Sequence, residues 1–446
     1  MLSNLFGPLF TAPDVSAQTA DDAVMRALLD VEAALARASA SVGAVPADAA
    51  EAITVACSGE FDTAALGEAA QSAGNPVVPL VRAIEQRIPE SARPWVHHGA
   101  TSQDVLDTAL MLVSARALGP LLGALRTASA ALATLAETHR RTLIAGRTLG
   151  QQALPTTFGL KAAGWLVALD TSAVRLRDVP LAVQLGGAAG TLAALGDRGI
   201  AVAAALATEL GLAEPVLPWH TDRQRLLELG AALAGVAAAL GKLALDVTLL
   251  AQSEVAEVAE GGSGGGSSAM PHKRNPVNSV LIRSASVRAP GLLATLYTAA
   301  AQQEHERASG GWHAEWETLR DLLDVVGGAA GRAARLVPTL RVDAARMRTT
   351  LDASGGVLLS ENVSGALARK LGRSRAHDLV KAAVSTAARD GRSLREVLLE
   401  DDEVRNRLRA EELDAALDPA GYLGSTDELI TRALAFHAKS QQGEPT

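Results

Sequence analysis

The chain has 446 residues, of which 48% are hydrophobic but only 3% aromatic, and its formal net charge is −8. This acidic balance argues against a nucleic-acid partner, and a single cysteine, Cys57, excludes an intrachain disulfide and a cysteine-based metal site. The N-terminus lacks a basic n-region and no run of 18 apolar residues occurs, so we expect a cytoplasmic protein without a membrane span.

Alanine, leucine and valine supply most of the hydrophobic residues, and the abundance of alanine and leucine predicts an all-α fold. Residues 1–102 are predicted as short helices separated by prolines and glycines, including an amphipathic helix over 21–42. The helices predicted from there to residue 341 are longer, and those after it are short and more charged. We therefore predict an elongated central bundle, 103–341, flanked by two smaller helical domains, 1–102 and 342–446, with no strands.

The central domain owes its predicted length to five long helices. One of them, 222–259, carries apolar residues on more than one face, so other helices must surround it. The five together have more apolar surface than one monomeric bundle needs, which indicates self-association. Their predicted ranges are 103–141 with a bend near Pro120, 155–177, 222–259, 276–307 and 312–336.

A Gly- and Ser-rich segment, 261–276, interrupts this pattern with the sequence GGSGGGSSAMPHKRNP. Each glycine inside a helix costs about 1 kcal/mol relative to alanine, so we predict a mobile loop between two long helices. The pair Asn275-Pro276 resembles an N-cap followed by the first helical residue, which predicts an anion site at that helix N-terminus. A plain flexible linker is the alternative, although a linker has no need of MPHKRNP. The polar side chains of the segment are those of Ser267, Ser268, His272, Lys273, Arg274 and Asn275.

Three segments resemble the fumarase/aspartase superfamily, which includes argininosuccinate and adenylosuccinate lyases. They are GSSAMPHKRNP at 266–276, HHGATSQD at 97–104 and GRTLGQ at 146–151. The resemblance implies a homotetramer in which three subunits complete each active site. It also implies that Ser267 transfers a proton at carbon, while Lys273 and Asn275 bind a carboxylate and stabilise an enolate.

The second of these segments supplies further candidates. The resemblance places His97, Thr101 and Ser102 in the substrate pocket, although helix capping alone accounts for Thr101 and Asp104. His98 has no such support and is a structural candidate.

The third segment departs from the superfamily pattern. The C–N lyases usually carry a histidine as general acid where this chain has Leu149, and leucine cannot protonate a leaving amine. Residues 303–316 resemble a nucleotide-binding stretch of adenylosuccinate lyases and keep Arg307. Trp312 and Trp316 replace the hydroxyl and the second arginine that hold a phosphate there, so AMP is not an expected ligand. Packing between helices also explains the two indoles.

These departures, with His220 in a polar cluster at 218–223, most resemble the superfamily branch that cyclises a carboxymuconate to a lactone. Helix entry explains His220 as well as a ligand role does. In the implied reaction one substrate carboxylate adds across a conjugated double bond, and the resulting aci-carboxylate gains a proton at carbon. The proton would pass through Ser267, or through His97 or His272 if the serine only orients.

The substrate is then a small tricarboxylate, which needs a local concentration of cations and hydrogen-bond donors in an acidic protein. The side chains expected to hold its remaining carboxylates are those of Arg147, Thr148, Gln151 and Arg307.

We expect no cofactor and no metal, because the nine histidines show no metal-binding spacing. Two alternatives to the cycloisomerase remain open. One is a superfamily lyase that releases fumarate from adenylosuccinate or argininosuccinate. The other is a non-catalytic helical scaffold, which would have no need to keep Ser267, Lys273 and Asn275 together.

Overall fold

The computed structural model describes residues 5–262 and 264–442. Residues 1–4, Ser263 of the predicted loop and 443–446 lie outside the described residues. Helices dominate, which confirms the predicted all-α class. The helices are α1 (Gly7–Phe10), α2 (Pro13–Thr19), α3 (Asp21–Ser41), α4 (Ala47–Cys57), α5 (Thr63–Ala73), α6 (Val77–Glu85), α7 (Ser102–Thr138), α8 (Phe158–Arg177), α9 (Gly199–Leu210), α10 (Gln224–Leu250), α11 (Val277–Ala300), α12 (Gly311–Leu336), α13 (Ala344–Asp352), α14 (Ser360–Leu371), α15 (Arg373–Asp390), α16 (Leu394–Glu400), α17 (Asp402–Arg405), α18 (Ala410–Ala416) and α19 (Thr426–Gln442).

The prediction of no strands is wrong. Among the described residues two short antiparallel pairs occur, β1 (Leu143–Thr148) with β2 (Gln151–Thr157) and β3 (Val258–Ala259) with β4 (Arg341–Val342). The first pair is a hairpin whose two turn residues, Leu149 and Gly150, both have positive φ, +51° and +78°. Positive φ at both positions is typical of the two-residue turn that matches strand twist. The hairpin also delays the start of α8 to Phe158, three residues after the predicted start.

The chain packs as two compact units, and the divisions fall within the long helices. The first unit comprises Met1–Leu125, Ser172–Gly241 and Leu281–Ala334, and the second comprises Arg126–Thr171, Lys242–Val280 and Arg335–Thr446. These units do not follow the three domains predicted from the sequence, and that division stays a prediction.

Each unit has its own apolar core. In the first unit, small residues of α3 such as Ala34 and Ala38 let α9 approach closely, and Leu206 of α9 is buried against them. In the second unit, Leu367, Val380 and Leu394 come from α14, α15 and α16 and are buried together.

Two of the described helices, α7 and α10, are long and apolar enough to cross a membrane by length and composition alone. Half or more of the most apolar window of each, 61% and 50%, is buried inside the protein. Core helices of globular proteins pass the same test, so this feature is weak evidence for a span.

Candidate active site

The loop of the second unit is folded back on itself at its base. The backbone N–H of Asn275 donates to the carbonyl of Gly265 at 2.7 Å, and Asn275 Nδ2 donates to the same oxygen at 3.2 Å. A Cβ at Gly265 would lie 2.3 Å from the carbonyl oxygen of Asn275, and its φ is +85°. Only glycine allows this close approach. The side chain of Asn275 therefore positions the loop, in addition to the ligand role that the resemblance implies.

Ser267 lies in the arm of the loop that follows. Its Oγ accepts hydrogen bonds from the backbone N–H groups of Ala269 and Met270, at 3.4 and 3.2 Å. Donors aimed at an oxygen favour its negatively charged form, so this turn lowers the cost of removing the hydroxyl proton. Ser267 is half-buried, whereas Ser268 is exposed.

The cationic part of the loop lines a cavity of about 910 Å³. Cavities that bind small molecules span roughly 300–1,000 Å³. Lys273 and His272 are exposed, and Arg341 of β4 and Gln252 also line the cavity. The cavity thus combines cations with amide groups, as a polycarboxylate requires. Sequence reasoning missed Arg341 and Gln252, which lie outside every segment of the resemblance.

The anion site predicted at the N-terminus of α11 is not free. The helix begins at Val277 rather than Pro276. Its first amides are taken by the chain's own Glu260, whose carboxylate accepts from the N–H groups of Asn278 at 3.1 Å and Ser279 at 2.8 Å. A carboxylate at this position satisfies amides that a helix leaves without intrahelical partners. The prediction is therefore wrong for these two amides, because the sequence pattern did not reveal the competing glutamate.

The hairpin of the second unit carries Arg147, Thr148 and Gln151. Arg147 forms a two-point ion pair with the buried carboxylate of Glu257, with both N–O distances 2.9 Å. Its guanidinium is thus engaged by protein, whereas Thr148 and Gln151 pair across the turn and are exposed. Leu149 lies at the tip with its side chain fully exposed.

Lys161, just after the hairpin on α8, is a further group that sequence reasoning missed. Burial lowers the pKa of its amine, and the neighbouring charges include Asp246 and Glu257, which raise it, and Arg147, which lowers it. A lysine in such surroundings loses its proton more readily than one in water.

In the first unit the structure brings Arg307 to the start of α7. Arg307 Nη1 donates to Thr101 Oγ1 at 2.8 Å, and Nη2 donates to the carbonyl of Ala188 at 3.0 Å. Ser102 is the first residue of α7 and is half-buried. Two predicted substrate ligands that are 206 positions apart in the sequence are therefore neighbours.

His97 lies just before this helix start, in the left-handed region with φ of +57°. Its Nδ1 is 2.7 Å from Oε1 of the buried Glu32. Burial by itself lowers the pKa of His97, but the Glu32 charge and hydrogen bond outweigh it, and the pKa is raised. A carboxylate-bound imidazole of this kind is suited to hold and move a proton through its second nitrogen.

His220 is not arranged as a simple ligand. It is buried, and its Nε2 lies 2.6 Å from Oδ1 of Asp104. Asp104 also accepts from the backbone N–H groups of Thr101, Gly186 and Gly187, each at 2.9 Å. Asp104 is therefore much more than the helix cap that the sequence predicts, and His220 forms part of its support.

A second buried carboxylate, Asp107, lies one turn further along α7. Arg223 bridges it to Glu315, with distances of 2.8 and 2.6 Å, and Trp312 Nε1 donates to Asp107 at 2.9 Å. Burial raises the pKa of Glu315 to about 7, while Arg223 lowers it and Asp107 raises it. Trp316 packs edge-to-face on Trp312 at 4.8 Å, which agrees with the packing role expected for the two indoles.

Comparison with known proteins places this geometry in a family. A family model described as Lyase matches residues 10–291, and one described as Adenylosuccinate lyase C-terminus matches 356–433. The chain belongs to the fumarase/aspartase superfamily. Within the described residues, this superfamily member shows no cluster of three or more histidine, cysteine, aspartate or glutamate side chains placed to hold a metal.

Three relatives match this fumarase/aspartase chain over nearly its whole length. The 3-carboxy-cis,cis-muconate cycloisomerase of Pseudomonas aeruginosa is 49% identical and covers 98% of this chain and 96% of its own. The nitrosuccinate lyase of Streptomyces davaonensis is 46% identical, covering 97% and 94%. The crystal structure of the 3-carboxy-cis,cis-muconate lactonizing enzyme from Pseudomonas putida has a TM-score of 0.92 at 44% identity, covering 98% and 100%.

Proposed function

We propose that this chain is a 3-carboxy-cis,cis-muconate cycloisomerase, forming 4-carboxymuconolactone in protocatechuate breakdown through the β-ketoadipate pathway. The observation that carries the choice within the superfamily is the hairpin tip, where the exposed Leu149 stands in place of a proton donor. In cyclisation the nucleophile is a carboxylate of the substrate and no group leaves, so no general acid is needed at that position. The similarity to the enzymes of Pseudomonas aeruginosa and Pseudomonas putida supports the same reaction.

The first chemical step joins a carboxylate oxygen of the substrate to an alkene carbon. The electron pair of the double bond moves onto the conjugated carboxylate, which becomes a doubly charged aci-carboxylate. Donors aimed at such developing charge are usually the largest catalytic contribution. Lys273, exposed in the cavity, and Asn275 are the groups we assign to it.

The second step adds one proton at carbon and restores the ordinary carboxylate. We assign the transfer to Ser267, whose oxygen is stabilised as an anion by the N–H groups of Ala269 and Met270. His97 and His272 are the alternative donors. His97 holds a raised pKa through Glu32 and so carries its proton to higher pH than a free imidazole.

The other carboxylates need cations and hydroxyls. We propose that Arg307 with Thr101 and Ser102 binds one of them, because the guanidinium and the hydroxyl of Thr101 are already joined. Thr148 and Gln151 are exposed at the hairpin and available for another. Arg147 and His220, which the protein's own carboxylates engage, would act mainly by holding these elements in place.

A lyase acting on a substituted succinate is the second candidate function, and the 46% identity to nitrosuccinate lyase favours it. The purified protein, mixed separately with 3-carboxy-cis,cis-muconate, nitrosuccinate, adenylosuccinate and argininosuccinate, distinguishes the two. We expect loss of the carboxymuconate absorbance and a lactone product identified by NMR, with no fumarate from the three succinyl compounds. Fumarate release with no lactone would reject the cycloisomerase, and no turnover of any compound would favour the non-catalytic scaffold.

We further propose a cytoplasmic homotetramer with composite active sites and without a cofactor. Apolar side chains left exposed on α10 and α11, among them Leu249, Val287 and Tyr297, support burial against other subunits. Light scattering of the active protein should give four times the chain mass, and dialysis against a chelator should leave the rate unchanged. An active monomer would contradict the composite site.

A further inference from the structure

Glu260 is the last residue before the loop, and its side chain forms hydrogen bonds with the residues that follow the loop. The carboxylate accepts four hydrogen bonds from two consecutive residues on the far side of the loop. Oε2 accepts from N and Nδ2 of Asn278, each at 3.1 Å, and Oε1 accepts from N and Oγ of Ser279, at 2.8 and 2.6 Å. One side chain thus joins the residue before the loop to the first turn of the helix after it.

The contact is electrostatically favourable both for the carboxylate of Glu260 and for the N-terminus of α11. A helix N-terminus carries unsatisfied N–H groups and partial positive charge, and a carboxylate there is stabilised by both. Ser279 is buried, so its amide and hydroxyl have little water to replace the lost partner if Glu260 is removed.

The contact also reaches the catalytic candidates. Within the loop, the backbone N–H of Asn275 donates to the carbonyl oxygen of Gly265 at 2.7 Å and closes the loop a second time. Three residues before Glu260, the carboxylate of Glu257 binds Arg147 of the hairpin. Glu257 and Glu260 flank the short strand β3, which pairs with β4. Two glutamates therefore fix the base of the loop, and Lys273 lies two residues before Asn275, which closes the loop.

We propose that Glu260 is a positioning residue that ties the two ends of the loop together and thereby presets Lys273 and Asn275 for the substrate carboxylate. It also occupies the amides of Asn278 and Ser279, so a substrate anion is directed to the loop side chains instead. This role in catalysis rests on the proposed function. The tie itself does not, because it is a property of the protein without substrate.

Trypsin provides a direct measure of the tie, since Lys273 and Arg274 are exposed cleavage sites in the loop. Cleavage of a locally opened segment follows the population of its open form. We expect E260A to be cut after Lys273 or Arg274 about tenfold or more faster than wild type, because several charge-assisted hydrogen bonds are lost. E260Q, which can still accept from Ser279, should lie between the two. Mass spectrometry identifies the cut.

A matched control is Glu396, which caps α16 in the same unit by accepting from the backbone N–H of Ser393 at 2.9 Å. E396A removes an exposed capping carboxylate and should leave the cleavage rate at Lys273 and Arg274 unchanged. Equal cleavage in wild type, E260A and E396A would overturn the proposal. If E260A does not fold, S279A removes one of the four bonds and should give a smaller acceleration at the same two sites, and no acceleration would count against the tie.

The proposed effect of Glu260 on catalysis is measured separately, as kcat. With carboxymuconate as substrate, E260A should lower kcat by about tenfold or more, with E260Q intermediate and E396A unaffected. Faster cleavage with unchanged kcat in E260A would confirm the tie and reject its role in positioning. Cleavage needs no substrate, so a wild-type protein that does not turn over carboxymuconate would reject the proposed function while the cleavage series still tests the tie.

Discussion

Asp107 of the first unit and Lys273 of the second unit differ in how many of their hydrogen-bonding positions the protein itself fills. In the first unit Asp107 is buried and accepts from Arg223, Trp312, Gln103 and Gln184. In the second unit, within the described residues, no hydrogen bond or ion pair engages the side chain of Lys273, which is exposed. Groups with every partner in place fix geometry, whereas groups without partners are free to bind a ligand. Asp107 and its partners are therefore expected to affect stability, and the loop residues are expected to affect turnover.

The largest effect on stability should come from Arg223. R223M leaves the carboxylates of Asp107 and Glu315 buried without their cation, which typically costs about 3–5 kcal/mol. Urea unfolding followed by circular dichroism measures the loss. R375M is the matched control, because Arg375 pairs with Glu403 on the surface, and it should leave the midpoint unchanged. Equal small effects of the two variants would show that the buried network does not stabilise the first unit.

Asp104 should have the next largest effect. In D104N an amide NH₂ faces at least one of the donors that now reach the carboxylate from Thr101, Gly186, Gly187 and His220. We expect a loss of about 2 kcal/mol in the free energy of unfolding. D352N, which changes an exposed partner of Arg348, serves as the control in the same urea titration. A D104N protein as stable as D352N would contradict the supporting role of Asp104.

An effect of comparable size concerns the dependence of stability on pH. The pKa of Glu315 in the folded protein is about 7, above its ordinary 4.5, because the group is buried. The stability that its proton contributes is complete below pH 4.5 and is lost as the pH rises through about 7. E315Q cannot titrate, so wild type should lose about 2 kcal/mol relative to E315Q between pH 5 and pH 8. Parallel unfolding curves at these pH values measure the difference. A constant difference would contradict the raised pKa.

The sequence predicted the helical class and most of the long helices, because Ala- and Leu-rich periodicity is local information. The helix predicted over 312–336 differs from α12 by one residue. The hairpin was missed because Leu143–Thr148 and Gln151–Thr157 are short strands, and the helical pattern after Pro155 dominated the interpretation. Leucine rarely adopts a positive φ, so the residue type at position 149 gave no indication of the turn.

The candidate site was predicted in part. The loop residues were found because they are adjacent in the sequence. The network around Arg223 was not, since its partners Asp107 and Glu315 are 116 and 92 positions away. Glu257 and Glu260 were missed for a different reason: they precede the recognised signature, and nothing local shows that a carboxylate there reaches Arg147 or the amides of α11. The assignments of catalytic and substrate-binding residues stay predictions.

We propose that the loop supplies the reacting groups while the buried network around Arg223 only holds the structure. The turnover of carboxymuconate by S267A, measured beside S268A as the neighbouring control, is the test of this division. We expect S267A to lose about a hundredfold or more in kcat with an unchanged thermal midpoint, and S268A to keep nearly the wild-type rate. Wild-type turnover by a well-folded S267A would contradict the account.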